Sequence, residues 1–104
     1  MVSSKQALEQ AKPHAEALLQ RLVALDYPAL AVLPECDFEE LAGYKKSVAL
    51  TTYRDIQTDS AIQIVVQLMV KGWLGSARIW VEGFKRWPDG GFTRMKPEDL
   101  WDFR

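Results

Sequence analysis

From position 46 onward, apolar and polar residues alternate along the chain. Ile62, Ile64, Val66, Leu68 and Val70 fall on one set of positions, and Gln63, Val65, Gln67, Met69 and Lys71 on the other. Successive side chains of a strand point to opposite faces, so this stretch predicts a β-strand with one wholly apolar side. Val48, Leu50 and Thr52 predict an earlier strand by the same rule, with Arg54 to Ser60 as a polar turn region. A third strand is predicted with Ala77, Ile79, Val81 and Gly83 facing the core and Arg78, Trp80, Glu82, Phe84 and Arg86 facing out.

Before position 46 the period is helical. Leu8, Ala11, Ala15, Leu18, Leu22 and Leu25 are spaced 3, 4, 3, 4 and 3, which lines them up as one stripe. Ser3 with Gln6 three residues later forms a capping-box pattern. Pro13 has no amide to donate and predicts a kink or restart near Lys12. Pro28 and Pro34 bracket a short apolar run, Ala29-Leu30-Ala31-Val32-Leu33. Residues 37–43 predict one or two helical turns, with Asp37 as cap and Gly43 as stop.

Trp87-Pro88-Asp89-Gly90-Gly91 has the chemistry of a three-residue hairpin, with Gly90 in the left-handed position. A fourth strand over 92–96 follows, and Pro97-Glu98-Asp99 opens a last turn that tucks away Leu100, Trp101 and Phe103. If 71–76 is a loop, Val70 faces Ala77, Leu68 faces Ile79, Val66 faces Val81 and Ile64 faces Gly83. Around the second hairpin, Trp87 faces Gly91, Arg86 faces Phe92, Phe84 faces Arg94 and Glu82 faces Lys96. Together these predict a single α+β domain over 1–104. An N-terminal helix, kinked near Pro13, packs on one face of an antiparallel β-meander of about four strands, with a short C-terminal turn.

Composition narrows the reading only modestly. With 48% hydrophobic and 26% charged residues in 104, the chain can bury an ordinary core. Its 13 basic and 14 acidic residues give no overall field for a polyanion or a membrane. Residues 1–60 hold 6 basic and 9 acidic groups and residues 61–104 hold 7 and 5, a small asymmetry. A lone cysteine, Cys36, allows no internal disulfide and no cysteine-based zinc site. The amino terminus lacks a basic-then-apolar signal, and no apolar run is long enough to span a bilayer. A cytoplasmic protein without membrane association is the expectation.

The chemistry of the outward sheet face is more informative. It would present Val65, Met69, Arg78, Trp80, Phe84, Arg86, Phe92 and Arg94, a mixture of aromatics, Met and Arg of the kind enriched at interface centres. The leading expectation is a non-catalytic binding or protein-interaction module that self-associates, as a homodimer, through this face. The competing structural expectation is that Trp101, Phe103 and 28–34 fold over the face as a second small core. Two other classes are open: a small-molecule receptor or small enzyme with a pocket between helix and sheet lined by Tyr27, Tyr44 or Tyr53, and single-stranded nucleic acid stacked on the sheet.

Catalytic chemistry finds no constellation. His14 has no second histidine to pair with. Asp37, Glu39 and Glu40 beside Cys36 disfavour a thiolate. Asp55 with Asp59, and Glu39 with Glu40, sit where acids are common in turns and helix starts. No catalytic residue, metal ligand or cofactor is therefore assigned.

Overall fold

A row of small side chains sets how closely the N-terminal helix lies on the sheet. In the computed structural model, which describes residues 3–44, 46–72 and 75–104, helix α1 (Ser4–Val23) buries Ala7, Ala11, Ala15, Leu19 and Leu22. The buried row is turned slightly from the expected one: Leu8 and Leu18 are half-buried at its flanks. The capping box forms, with the Gln6 amide donating to Ser3 Oγ at 3.1 Å and the Ser3 amide to Gln6 Oε1 at 3.0 Å. Pro13 sits exposed within one continuous helix rather than dividing it in two. A single turn of helix, α2 (Tyr27–Ala31), follows; Asp26 caps it through the Ala29 amide at 3.0 Å, and it buries Leu30.

The remainder is an antiparallel meander in chain order: β1 (Cys36–Glu40), β2 (Val48–Ile56), β3 (Ile62–Lys71), β4 (Ala77–Arg86) and β5 (Phe92–Arg94), closed by a 3-10 helix (Pro97–Phe103). β1 replaces the helical turns expected over 37–43. Its backbone pairs with β2 from Cys36 opposite Tyr53 to Glu40 opposite Ala49. A helix-cap pattern is a local preference, and five ladder positions along a neighbouring strand outweigh it. Gly43 keeps its left-handed backbone, φ +91, in the turn that leads to β2.

One face of the sheet carries the helix. Ile62, Ile64, Val66, Leu68 and Val70 are buried there against α1, as the alternation in β3 predicts. Each such side chain contributes about 1.5–3 kcal/mol relative to exposure. On β4, however, the sides are exchanged. Val70 pairs with Arg78, Leu68 with Trp80, Val66 with Glu82 and Ile64 with Phe84, so these even-numbered β4 residues share the helix face. The whole strand is displaced by one residue from the expected register. The cause is the loop: the Gly72 amide donates to the Ser76 carbonyl at 2.8 Å, which closes a three-residue connection rather than a six-residue one. An odd-length connection reverses the parity of every pair beyond it.

The opposite face of the sheet is a second, smaller core. Val65, Val81 and Leu100 are buried in it, flanked by Tyr53, Ile79, Met95 and Phe103. The C-terminal 3-10 helix supplies the cover, held by the Gln67 side-chain amide donating to the Phe103 carbonyl. Leu100 and Phe103 turn inward as expected, whereas Trp101 is 75% exposed and the 28–34 region packs with the helix-side core through Leu30 and Leu33. Gly83 lies beneath this cover; an added Cβ would stand 2.6 Å from the Ile64 carbonyl oxygen.

The β4–β5 hairpin matches the expected register. Trp87 donates to Gly91 O at 2.9 Å, Gly90 has φ +92, Arg86 pairs with Phe92 and Phe84 with Arg94. The strand ends at Arg94, so Glu82 meets Arg94 at 3.8 Å instead of facing Lys96. The hairpin is tied to the β2–β3 turn by Asp59, whose Oδ1 accepts from the Ala61 amide at 3.1 Å and Oδ2 from the Trp87 indole N–H at 3.2 Å.

Two outcomes follow from this packing. Phe84 is wholly buried between α1 and the sheet. Phe84→Ala should cost about 3–5 kcal/mol in urea denaturation, with Phe92→Ala, at the exposed rim, costing much less. The Ala61 amide, followed by the Trp87 indole, holds the Asp59 carboxyl below its ordinary range. Its contribution is therefore present above the ordinary carboxylate pKa and lost as pH falls through the lowered value. The Trp87 indole N–H resonance should move in one step below that range, and Asp59→Asn should abolish the step.

Candidate functional site

β5 is too short to cover β4. It pairs only with Phe84, Lys85 and Arg86, and the last bond beyond it runs from the Met95 amide to the Gly83 carbonyl at 2.9 Å. β4 itself begins at Ala77. Among the described residues, no strand pairs with 77–82 on that side.

The direction of the backbone groups follows from the bonds already present. Gly83 and Trp87 bond toward β5, and backbone groups alternate sides along a strand. The N–H and C=O groups of Ala77, Ile79 and Val81 therefore point to the open side, while those of Arg78, Trp80 and Glu82 point to β3. A row of unpaired backbone groups is a template for another strand.

The space beside this edge is a groove of about 630 Å³. Its lining includes Trp80 and Glu82 from the helix face and Ile79 and Val81 from the opposite face, so the groove runs along the edge rather than over either face. Pro97 and Leu100 of the 3-10 helix form one wall, and Arg94 and Met95 close the end where β5 stops. On the helix side, a depression lined by Pro13, Ala17 and Gln20 of α1 reaches the same Glu82 and Arg94.

The two sheet edges differ in chemistry. At β1, Asp37, Glu39 and Glu40 are exposed in five residues, a charge density that discourages pairing with another acidic strand. At β4, one cation and one anion, Arg78 and Glu82, flank the apolar triplet Ile79-Trp80-Val81. Neither proline nor a cluster of like charge blocks this stretch.

The residues expected to form one interaction face are not brought together. Val65 and Met69 lie on the side covered by the C-terminal segment, Val65 with no exposure. Arg78, Trp80, Phe84, Arg86, Phe92 and Arg94 share the helix side. Phe84 is there as core, in ring contact with Phe92 at 5.4 Å. Arg86 is committed to structure: Nη2 donates to the Val23 carbonyl at 2.9 Å, where the C-terminal end of α1 favours a cation, and its guanidinium lies 5.2 Å from the Phe92 ring centre. The exposed Arg78, half-buried Trp80 and exposed Arg94 remain at the open edge.

The tyrosines are dispersed as well. Tyr27 donates its hydroxyl to the Ser60 carbonyl at 2.6 Å, Tyr44 packs at the helix side with His14 at 6.3 Å, and Tyr53 contacts Phe103 on the opposite face. They do not line a common cavity between helix and sheet. Cys36 is exposed on β1, and among the described residues no group of three or more His, Cys, Asp or Glu could hold a metal. No helix among them is long and apolar enough to cross a membrane.

Sequence reasoning missed the edge because it depends on where β5 ends and on loop parity. The available signal was Gly75, which precedes Ser76 as Gly90 precedes Gly91 and likewise has positive φ, +78. Two hairpins with the same glycine position share the same loop length. No family model matches the chain, and no curated protein or solved structure matches it.

Amide hydrogen exchange provides a direct check of the edge. In dilute protein the Ile79 N–H should exchange much faster than the Trp80 and Glu82 N–H groups bonded to β3. Uniform protection from Ala77 to Glu82 would show that another element already occupies the edge.

Proposed function

We infer that this chain is a non-catalytic protein-interaction module that takes up an extended polypeptide segment as an added strand on the free edge of β4. The observation that supports this reading is the unpaired stretch 77–82, with its backbone groups turned into a groove walled by Pro97 and Leu100. Strand addition draws affinity from main-chain hydrogen bonds and selectivity from the side chains that flank the edge. On the helix side, those flanking side chains are Trp80, Glu82 and Arg94; on the other, Ile79, Val81 and Leu100. An added strand with apolar residues in alternate positions and an acid placed near Arg78 or Arg94 suits both sides.

The test is a panel of short extended peptides titrated into labelled protein. Resonance changes should concentrate at 77–83 and Leu100, and Ile79→Pro should remove them. Proline at Ile79 deletes an outward amide while sparing the ladder to β3. Retained chemical shifts in β2 and β3 would confirm that the variant is folded. Binding that maps elsewhere, or that survives in folded Ile79→Pro, would contradict the reading.

A further inference from the structure

The open edge has a symmetry that selects its occupant. Resting on the strand-addition reading above, we propose that the segment added to β4 is the same edge of a second copy of this chain, antiparallel, about a two-fold axis that passes between the two Trp80 residues.

Within the free stretch 77–82, residues 78–82 are centred on Trp80; the Gly83 carbonyl beyond them is already taken by the Met95 amide. Centring the pair there places Arg78 opposite the partner's Glu82, Ile79 opposite the partner's Val81 and Trp80 opposite the partner's Trp80. Two independent requirements are met at once. The first is hydrogen bonding: outward backbone groups belong to odd-numbered residues, and this register sets Ile79 against the partner's Val81 twice, so their donors and acceptors meet. The second is side-chain chemistry: each Arg78 lies across from a partner carboxylate, twice per dimer, and the branched Ile79 and Val81 share a face. The Trp80 pair falls at a non-hydrogen-bonded site, where side chains come closest and aromatic pairs contribute most. Half-buried Trp80 would then lose its remaining exposure.

Competing symmetric arrangements lack this agreement. Moving the axis to the next odd residue, Ile79, places Arg78 opposite the partner's Trp80 and leaves Glu82 beyond the pairing. A two-fold pair of β1 edges about Phe38 sets Asp37 against the partner's Glu39, like charges on one face. Pairing β4 with β1 of another copy is head-to-tail and would propagate rather than close. The axis at Trp80 is perpendicular to the sheet, so both α1 helices lie on one side of the joined sheet and both 3-10 helices on the other.

Sedimentation velocity on the full chain over a wide concentration range tests the proposal through two exposed residues, Arg78 and Glu82, the latter also 3.8 Å from Arg94 of its own chain. Wild-type protein should form a dimer and no larger species. Arg78→Glu and Glu82→Arg should each weaken it about tenfold or more, since each puts like charges across from one another at two sites. The double exchange R78E/E82R, made with Arg94→Gln so that the arginine placed at position 82 meets no cation of its own chain, should restore association to within about threefold of Arg94→Gln alone. Ile79 amide exchange should slow in step with the dimer fraction. A dimer indifferent to both single reversals, failure of the double exchange to restore it, or assembly into larger species would overturn this register. A chain that stays monomeric yet takes up extended peptides at the β4 edge would overturn self-pairing while leaving the strand-addition reading intact. A monomer that takes up neither would overturn both.

Discussion

The pairing of β3 with β4 is the constraint on which the rest of this molecule depends. β3 is the central strand, buried on both sides: Ile62, Ile64, Val66, Leu68 and Val70 against α1, and Val65 beneath Leu100. A strand in that position cannot slide, because a slip of one residue would turn a row of apolar groups outward. β4 must match it, and the short connection between Gly72 and Ser76 determines which of its two apolar sides meets the helix. That choice sends Phe84 and Trp80 to the large core and leaves Ile79 and Val81 to the small one.

The two cores then set the shape of the edge. α1 lies close because Ala7, Ala11 and Ala15 present so little bulk. Arg86 fastens the end of that helix to the sheet through the Val23 carbonyl. On the reverse side, Gly83 admits Met95 and the Ile64 backbone into near contact, which lets the chain cross over and lay the 3-10 helix against Val81. Because the chain leaves the sheet at Arg94, the first half of β4 is flanked on both faces but, among the described residues, has no neighbour in the plane. This is a sheet completed on its faces and unfinished at one side.

That asymmetry frames the functional reading. The β1 side carries acids, an arrangement that keeps sheets from adding strands. The β4 side combines an apolar centre with Arg78 and Glu82 at its flanks and Arg94 where β5 stops. Aromatic and arginine residues contribute to this region, as the composition of the second half of the chain suggests. Trp80, Arg78 and Arg94 lie at its rim, while Phe84 and Arg86 belong to the fold itself.

Much of the architecture was legible in the chain because it rests on local regularities. The capping box at Ser3, the period of the helix, the alternation in 48–70 and the Pro-Asp-Gly turn each depend on residues close in sequence, and each element is present. The strand at 36–40 was not legible, because it exists through its pairing with β2 and its own residues favour a capped turn. Nor was the side to which β4 turns. Trp80 and Phe84 are as apolar as Ile79 and Val81, so alternation identifies two sets without saying which faces the helix. The sequence by itself determined the periods, the turns and a helix-on-sheet fold. Only the tertiary structure decided register, burial and the open edge, since these depend on which distant backbone groups find one another and on where the last strand stops.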